Sequence, residues 1–329
     1  MTPPRSRSAA LDAVRVLGLI AVVACHVWSA PLWARELFFT WNVPVFFFLS
    51  GYLWTERRPF RVELGKRTST LAVPLLAWLA ILFPIWLVQQ GIVGGLTLSS
   101  AWRPLAGGNY IGRPFSTFWF VSALFFVALA YRLLQRFPLI VHVVVALVLL
   151  ALVAVSPEAF ALLPLGIGTG LASLVFVVAG VLAQRYRSRV RRDVLVAVVL
   201  LVVSTVLVVT RVSAPLDLKR ADAGTPFLSA FVAIAISFAL VLLAERYVPL
   251  LGERVGRSIV FLSSGGLFVV FAHPIMLWIL NSREDGTLLD FAFALLVPWI
   301  VASLVRFTPL SAALTGVPRA TREPALVGR

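Results

Sequence analysis

Apolar residues in this chain run in long blocks, and the polar positions that separate them gather into short clusters. A membrane-spanning helix needs roughly 20 mostly apolar residues, within a range of about 17–25. On that scale the pattern predicts ten spans. They fall over 11–34, 36–54, 70–90, 115–134 and 139–155, then 164–184, 194–212, 226–244, 258–280 and 287–306. The expected fold is therefore an all-α integral membrane bundle. Residues 1–10 read as an N-terminal tail, 11–306 as the membrane domain and 307–329 as a C-terminal tail.

Composition supports this class. The 329 residues are 60% hydrophobic and only 13% charged, with a mean hydropathy of +0.97. A soluble domain of this length needs more polar residues to cover its surface. The formal charge of +15 would point to nucleic acid in a soluble protein, but here it is better explained by orientation. With the N-terminus inside, 21 of the 29 Lys and Arg lie on the inner side and seven on the outer. The outer seven are Arg35, Arg103, Arg113, Arg211, Lys219, Arg220 and Arg283, and Arg15 lies within a span. That threefold bias predicts both termini in the cytoplasm and a multi-pass protein of the cell membrane. No nucleic-acid partner is expected. The single Cys25 rules out an internal disulfide. "VVAC" after Arg5 and Arg7 has the outline of a lipoprotein signal, but Asp12, Arg15 and the many later spans argue against processing there.

The first block, "LDAVRVLGLIAVVACHV", contains Asp12, Arg15 and His26. Charged residues at the centre of a bilayer helix cost roughly 2.5–3.5 kcal/mol each on insertion scales. Arg15 and His26 fall within about 20° of one helix face, about 16 Å apart. Taken alone, Arg15 reads as an interfacial arginine that snorkels and pairs with Asp12. His26 lies deeper, where a polar side chain faces a bundle interior or a wet cavity; a helix–helix hydrogen bond is its plainer role. His273 lies 15 residues into the ninth span and His26 lies 14 residues past Asp12, so the two imidazoles are expected at one depth. His142 reads as interfacial. Residues 91–114, rich in glycine, are either a cover for an outward-facing cleft or a flexible connector. Asn42 is a candidate to meet an acceptor or to pair with a neighbouring helix. Trp119 is either an interfacial belt residue or a stacking surface for a sugar. Ser50, Gly51 and Tyr52 read as a close helix contact.

Several of these residues stand in a recognisable order. Arg15-x10-His26 is followed by "VPVFFFLSGYL" (43–53), then by Lys66, Arg67 and Pro74. "FWFVSALFF" (118–126) and "GRSIVFLSSGGLFVVFAHP" (256–274) come after them. Over about residues 11 to 306 the chain resembles acyltransferase family 3, membrane enzymes that O-acylate carbohydrates. The resemblance implies an acyl-CoA co-substrate, most simply acetyl-CoA, that binds from the cytoplasm. It implies a hydroxyl of a carbohydrate or glycosylated acceptor, in or across the membrane. His26 would be the catalytic histidine. Arg15, with Arg57, Arg61 and Arg67 of the first cytoplasmic loop, would hold the donor, while Asn42, Trp119 and His273 would support the acceptor or the base. Val16 replaces a usual glycine, and Thr70 stands where a basic residue is common. The added hydrolase-like domain of some members is not expected after Arg306.

No metal-ligand set, phosphate loop or Ser-x-Gly elbow points elsewhere, and no bound cofactor is expected. Two other classes stay open on the sequence. A proton-coupled transporter would use His26 and His273, but it predicts polar residues on several spans and repeat symmetry. An inactive scaffold homologue would fit the two altered positions.

Overall fold

The structure is a computed structural model that describes residues 8–56 and 58–320. Every named element in it is helical. The principal helices are α1 (Ala9–Val27), α2 (Pro44–Tyr52), α3 (Phe60–Ile92), α4 (Phe118–Leu134), α5 (Leu139–Val155) and α6 (Leu174–Tyr186). They continue with α7 (Asp193–Val209), α8 (Leu228–Tyr247), α9 (Gly252–Ser264), α10 (Gly266–Ile279) and α11 (Leu288–Val305). Four runs among the described residues are long and apolar enough to cross a bilayer: α1, α3, Leu228–Ser264 and α11. A fifth arises if Pro164–Ala172 and Leu174–Arg189, bent by 47°, form one broken span. Helices α4, α5, α7 and α10 are apolar but shorter.

Three departures from the hydropathy reading have a plain local reason. Helix α1 stops at Val27 rather than near residue 34. Beyond it, Ala30 N–H donates to Glu284 O (3.0 Å) and Gly286 N–H donates to Val27 O (3.1 Å). The chain thus trades helical hydrogen bonds for pairing with a distant loop, and Pro31 lacks the N–H that would continue the helix. The second apolar block is not one rod. A π-helical turn (Arg35–Phe39) and non-helical residues lead into α2, which starts on Pro44. The block expected over 258–280 is divided at Gly265, because α9 is amphipathic and places Glu253, Arg254 and Arg257 on an exposed face.

Helix α1 is the hub. Two thirds of its most apolar window (67%) is buried inside the protein, against 22–44% for the other long candidates. It packs against α2, α8, α9, α10 and α11, and Asp12 within it is fully buried. Helix α2 crosses α6 at backbone contact. A Cβ on Gly51 would overlap the Val177 carbonyl, and one on Gly180 would overlap that of Phe48. Small residues at such crossings let helices approach where no hydrophobic force drives them together in lipid. His142 lies in the first turn of α5 and is buried against protein there. Its Nε2–H donates to Phe137 O (3.0 Å), and its Nδ1 lies 3.4 Å from the Tyr131 hydroxyl. The short α4–α5 turn folds Tyr131 onto it.

Candidate active site

His26 occupies the last turn of α1 and His273 the middle of α10. Their ring centroids are 4.9 Å apart, with planes at 76°. In each ring Nδ1 lies 2.8 Å from the carbonyl four residues earlier, Val22 for His26 and Val269 for His273. A carbonyl can only accept, so both Nδ1 atoms carry the proton and each neutral ring keeps its lone pair on Nε2. His273 is fully buried, and its Nε2 has no hydrogen-bond partner among the described residues.

The end of α1 is held from several directions. Arg113 donates through Nη2 to His26 O (2.7 Å) and through Nη1 to Ser282 O. The Trp28 indole donates to Gly286 O (2.6 Å). Thr117 Oγ1 donates to Val270 O (2.7 Å), which ties the start of α4 to α10 beside His273. Helix C-termini leave orphan carbonyls. Here a guanidinium caps one of them and thereby fixes the turn that carries His26.

His26 lines a cavity of about 620 Å³ at this end of the bundle. Its walls come from the loops after α1, before α4, between α7 and α8, and after α10. Asn42, Ser116 and Trp119 lie in it and are buried. Arg35, Arg113, Asp217, Lys219, Arg220 and Glu284 supply its charges. Lys219 Nζ donates to Ile111 O (2.8 Å), which closes the 108–113 segment over the cavity. Burial pushes the Lys219 ammonium down to about 8 and holds the Arg113 guanidinium below its usual value.

On the opposite side of His26 the voids are narrow and apolar. One of about 30 Å³ is lined by Val22, His26, Val43, Phe46, Thr117, Trp119, Phe120 and Val270. The next, of about 140 Å³, shares Phe46, Phe120 and Val270 with it and ends at Arg15 and Ser263. A single water needs roughly 10–15 Å³, so the void beside His26 is slim. Arg15 Nη1 donates to Asp12 Oδ1 (2.6 Å), which also accepts from Ser263 Oγ (2.8 Å). Arg15 is one-third exposed and Asp12 fully buried. The pairing read from the sequence is present, and Arg15 and Ser263 also line one end of the larger void.

The first-loop cations divide. Arg67 donates to Glu63 (2.7 Å) and lies over the Trp54 ring at 5.7 Å. Arg58 and Arg132 reach the same buried Glu63, at 2.7 and 3.3 Å. Arg61 is exposed on the first turns of α3. Arg57 lies outside the described residues. The cavity residues Arg35, Arg113, Ser116 and Lys219 were missed by motif reasoning, although a signal existed: four of the seven cations that the charge pattern assigns to the outer side line this one cavity.

Comparison with known proteins bears on the chemistry. The acyltransferase 3 family model, described as an acyltransferase domain, matches residues 8–316, nearly the whole chain. Neither the curated proteins nor the solved structures return a match. The matched region includes α1 with His26, the linings of both apolar voids and all walls of the cavity. The chain therefore belongs to the acyltransferase 3 family, as a membrane acyltransferase domain.

Proposed function

We propose that the protein transfers a small acyl group, most simply acetyl, from acyl-CoA to a hydroxyl of a carbohydrate or glycoside. The observation that carries this reading is the position of His26, which lines both the large cavity and the slim apolar void that separates it from the void ending at Arg15. The donor enters at the Arg15 end and the acceptor occupies the cavity. His26 Nε2 takes the proton of the acceptor hydroxyl as its oxygen bonds to the thioester carbon. The C–S bond then breaks, and the CoA thiolate leaves with the proton returned by the imidazolium. His273 packs against His26 and positions it. The anionic nucleotide of the donor meets Arg15 and Arg61, while Arg67 secures the loop through Glu63. The narrow void at His26 favours a short acyl chain.

This reading carries a topology: ten crossings in the cell membrane, both termini cytoplasmic, and the cavity on the outer side. The charge bias of the loops supports it. Ser100→Cys in a Cys25→Ala background should react with a membrane-impermeant thiol reagent on intact cells. Labelling only after the membrane is opened would overturn the orientation.

The direct test of function is purified protein in vesicles with acetyl-CoA and a panel of glycosides, followed by thiol release and by mass of the acceptor. Thiol release that depends on a glycoside supports the assignment, and its absence across the panel counts against it. Arg15→Ala should weaken acyl-CoA binding roughly ten- to a hundredfold, since a charge-assisted contact is worth about 1.5–3 kcal/mol. Unchanged donor affinity would return Arg15 to an interfacial role.

A further inference from the structure

The cavity carries more positive charge than its own wall neutralises. Four cations line it, Arg35, Arg113, Lys219 and Arg220, against the two carboxylates of Asp217 and Glu284. Arg220 lies 3.7 Å from Asp217, which accounts for one cation. Arg113 is engaged with two backbone carbonyls and holds the end of α1. Arg35 lies over the Phe39 ring at 5.0 Å. Arg35 and Lys219 have no carboxylate within ion-pair distance among the described residues. These cations also sit on the side that the charge bias leaves poor in Lys and Arg, so orientation in the membrane does not explain them.

A half-buried cation with no carboxylate in ion-pair contact is costly, even with Asp217 acting on Lys219 from farther off, and that cost is relieved when an anion arrives. At pH 7 the Lys219 ammonium, with its value pushed to about 8 by burial, is still mostly protonated. A second observation also points to a ligand. Ser116 Oγ, in a residue only 8% exposed, lines the cavity and has no hydrogen-bond partner among the described residues. A bound polyol would satisfy it. Trp119, 6% exposed, offers a flat apolar wall beside His26.

We propose that the acceptor is an acidic glycoside, whose carboxylate or phosphate is held by Arg35 and Lys219 while one of its hydroxyls meets His26. The proposal rests on the reading of the cavity as the acceptor site. It adds a specificity: a neutral sugar of the same shape is a poor acceptor. Arg35 and Lys219 act in recognition, Ser116 bonds a ring hydroxyl, and His26 remains the base.

The test compares four ligands that differ at one carbon: methyl glucoside, methyl glucuronide, the methyl ester of that glucuronide and methyl glucoside 6-phosphate. Binding to the purified protein is read by calorimetry, independently of turnover. At least one of the two anions should bind about tenfold or more tighter than the glucoside and the ester, as one charge-assisted contact implies. Which anion wins separates a uronic acid from a phosphorylated sugar. Equal affinity for all four overturns the proposal. Arg35→Gln combined with Lys219→Gln should bring the preference to near unity, and Arg35→Lys should retain it. If that double variant fails to fold, the four-ligand comparison on the parent protein decides alone. Anion-selective binding without any acyl transfer would sink the proposed function and leave the anion site standing. Transfer to the glucoside and the glucuronide with equal efficiency would do the reverse.

Discussion

His26→Gln and His26→Ala should both lose acyl transfer by about 10²-fold or more, with acyl-CoA affinity close to that of the parent. The reason lies in the hydrogen bonding of the ring. Val22 O engages Nδ1 at 2.8 Å, so the neutral imidazole has its lone pair on Nε2, the atom a base must use. Glutamine fills a similar volume and can still donate to Val22 O, but its amide accepts no proton at neutral pH. Alanine loses both the hydrogen bond and the packing against His273. A purely structural histidine makes a different prediction, in which glutamine keeps most activity and only alanine costs stability. Turnover of His26→Gln near the parent rate would remove His26 from the chemistry. Donor affinity lost in step with turnover would instead place His26 in the donor site.

The second large effect is on stability. Glu63→Ala should destabilise the protein by about 3–5 kcal/mol, because removing one partner of a buried ionic group leaves the others uncompensated. Glu63 is fully buried and is shared by Arg58, Arg67 and Arg132. Arg132 is only 5% exposed, and it also lies over the Trp54 ring at 4.3 Å. Without the carboxylate, three cations would crowd one site at the junction of α3 and α4. Arg58→Ala should cost far less, since Glu63 keeps two partners and Arg58 is nearer solvent. The measurement is thermal unfolding in detergent, read by loss of monodisperse protein. Equal melting of Glu63→Ala and the parent would mean that solvent or lipid headgroups already neutralise the cluster. Activity is the secondary readout, because the cluster braces the donor loop and touches no proposed reacting atom.

The two predictions also mark how far the sequence could be read. His26 stood out because a polar residue deep in an apolar block has few bland explanations, and its spacing from Arg15 followed from helix geometry alone. The expected common depth of His26 and His273 needed only counting along two spans, and the rings do meet. Glu63 gave no comparable signal. In the sequence it is one acid among five cations between 57 and 67, and charge clusters of that kind are ordinarily solvated. Its burial depends on Arg132, 69 residues away. The same contact decided how the first-loop cations divide, with Arg67 drawn into the cluster and Arg61 left exposed.

Hydropathy and periodicity are local properties, and what they determine is local: an all-helical membrane class, the positions of most apolar helices, and the polar residues out of place within them. They also carried the family, through short motifs that keep their order along the chain. They did not determine where α1 ends, because Val27 and Ala30 exchange helical hydrogen bonds for partners near residue 285. Nor did they show the cavity, whose walls come from four loops that are far apart in sequence and meet only when the bundle closes. Which cations pair and which face the cavity was decided there, by the packing of Ile111 against Lys219 and of Arg113 against the end of α1. A charge in a loop has the same sequence signature whether it faces water, lipid headgroups or a ligand, and only tertiary structure sets which of these surrounds it.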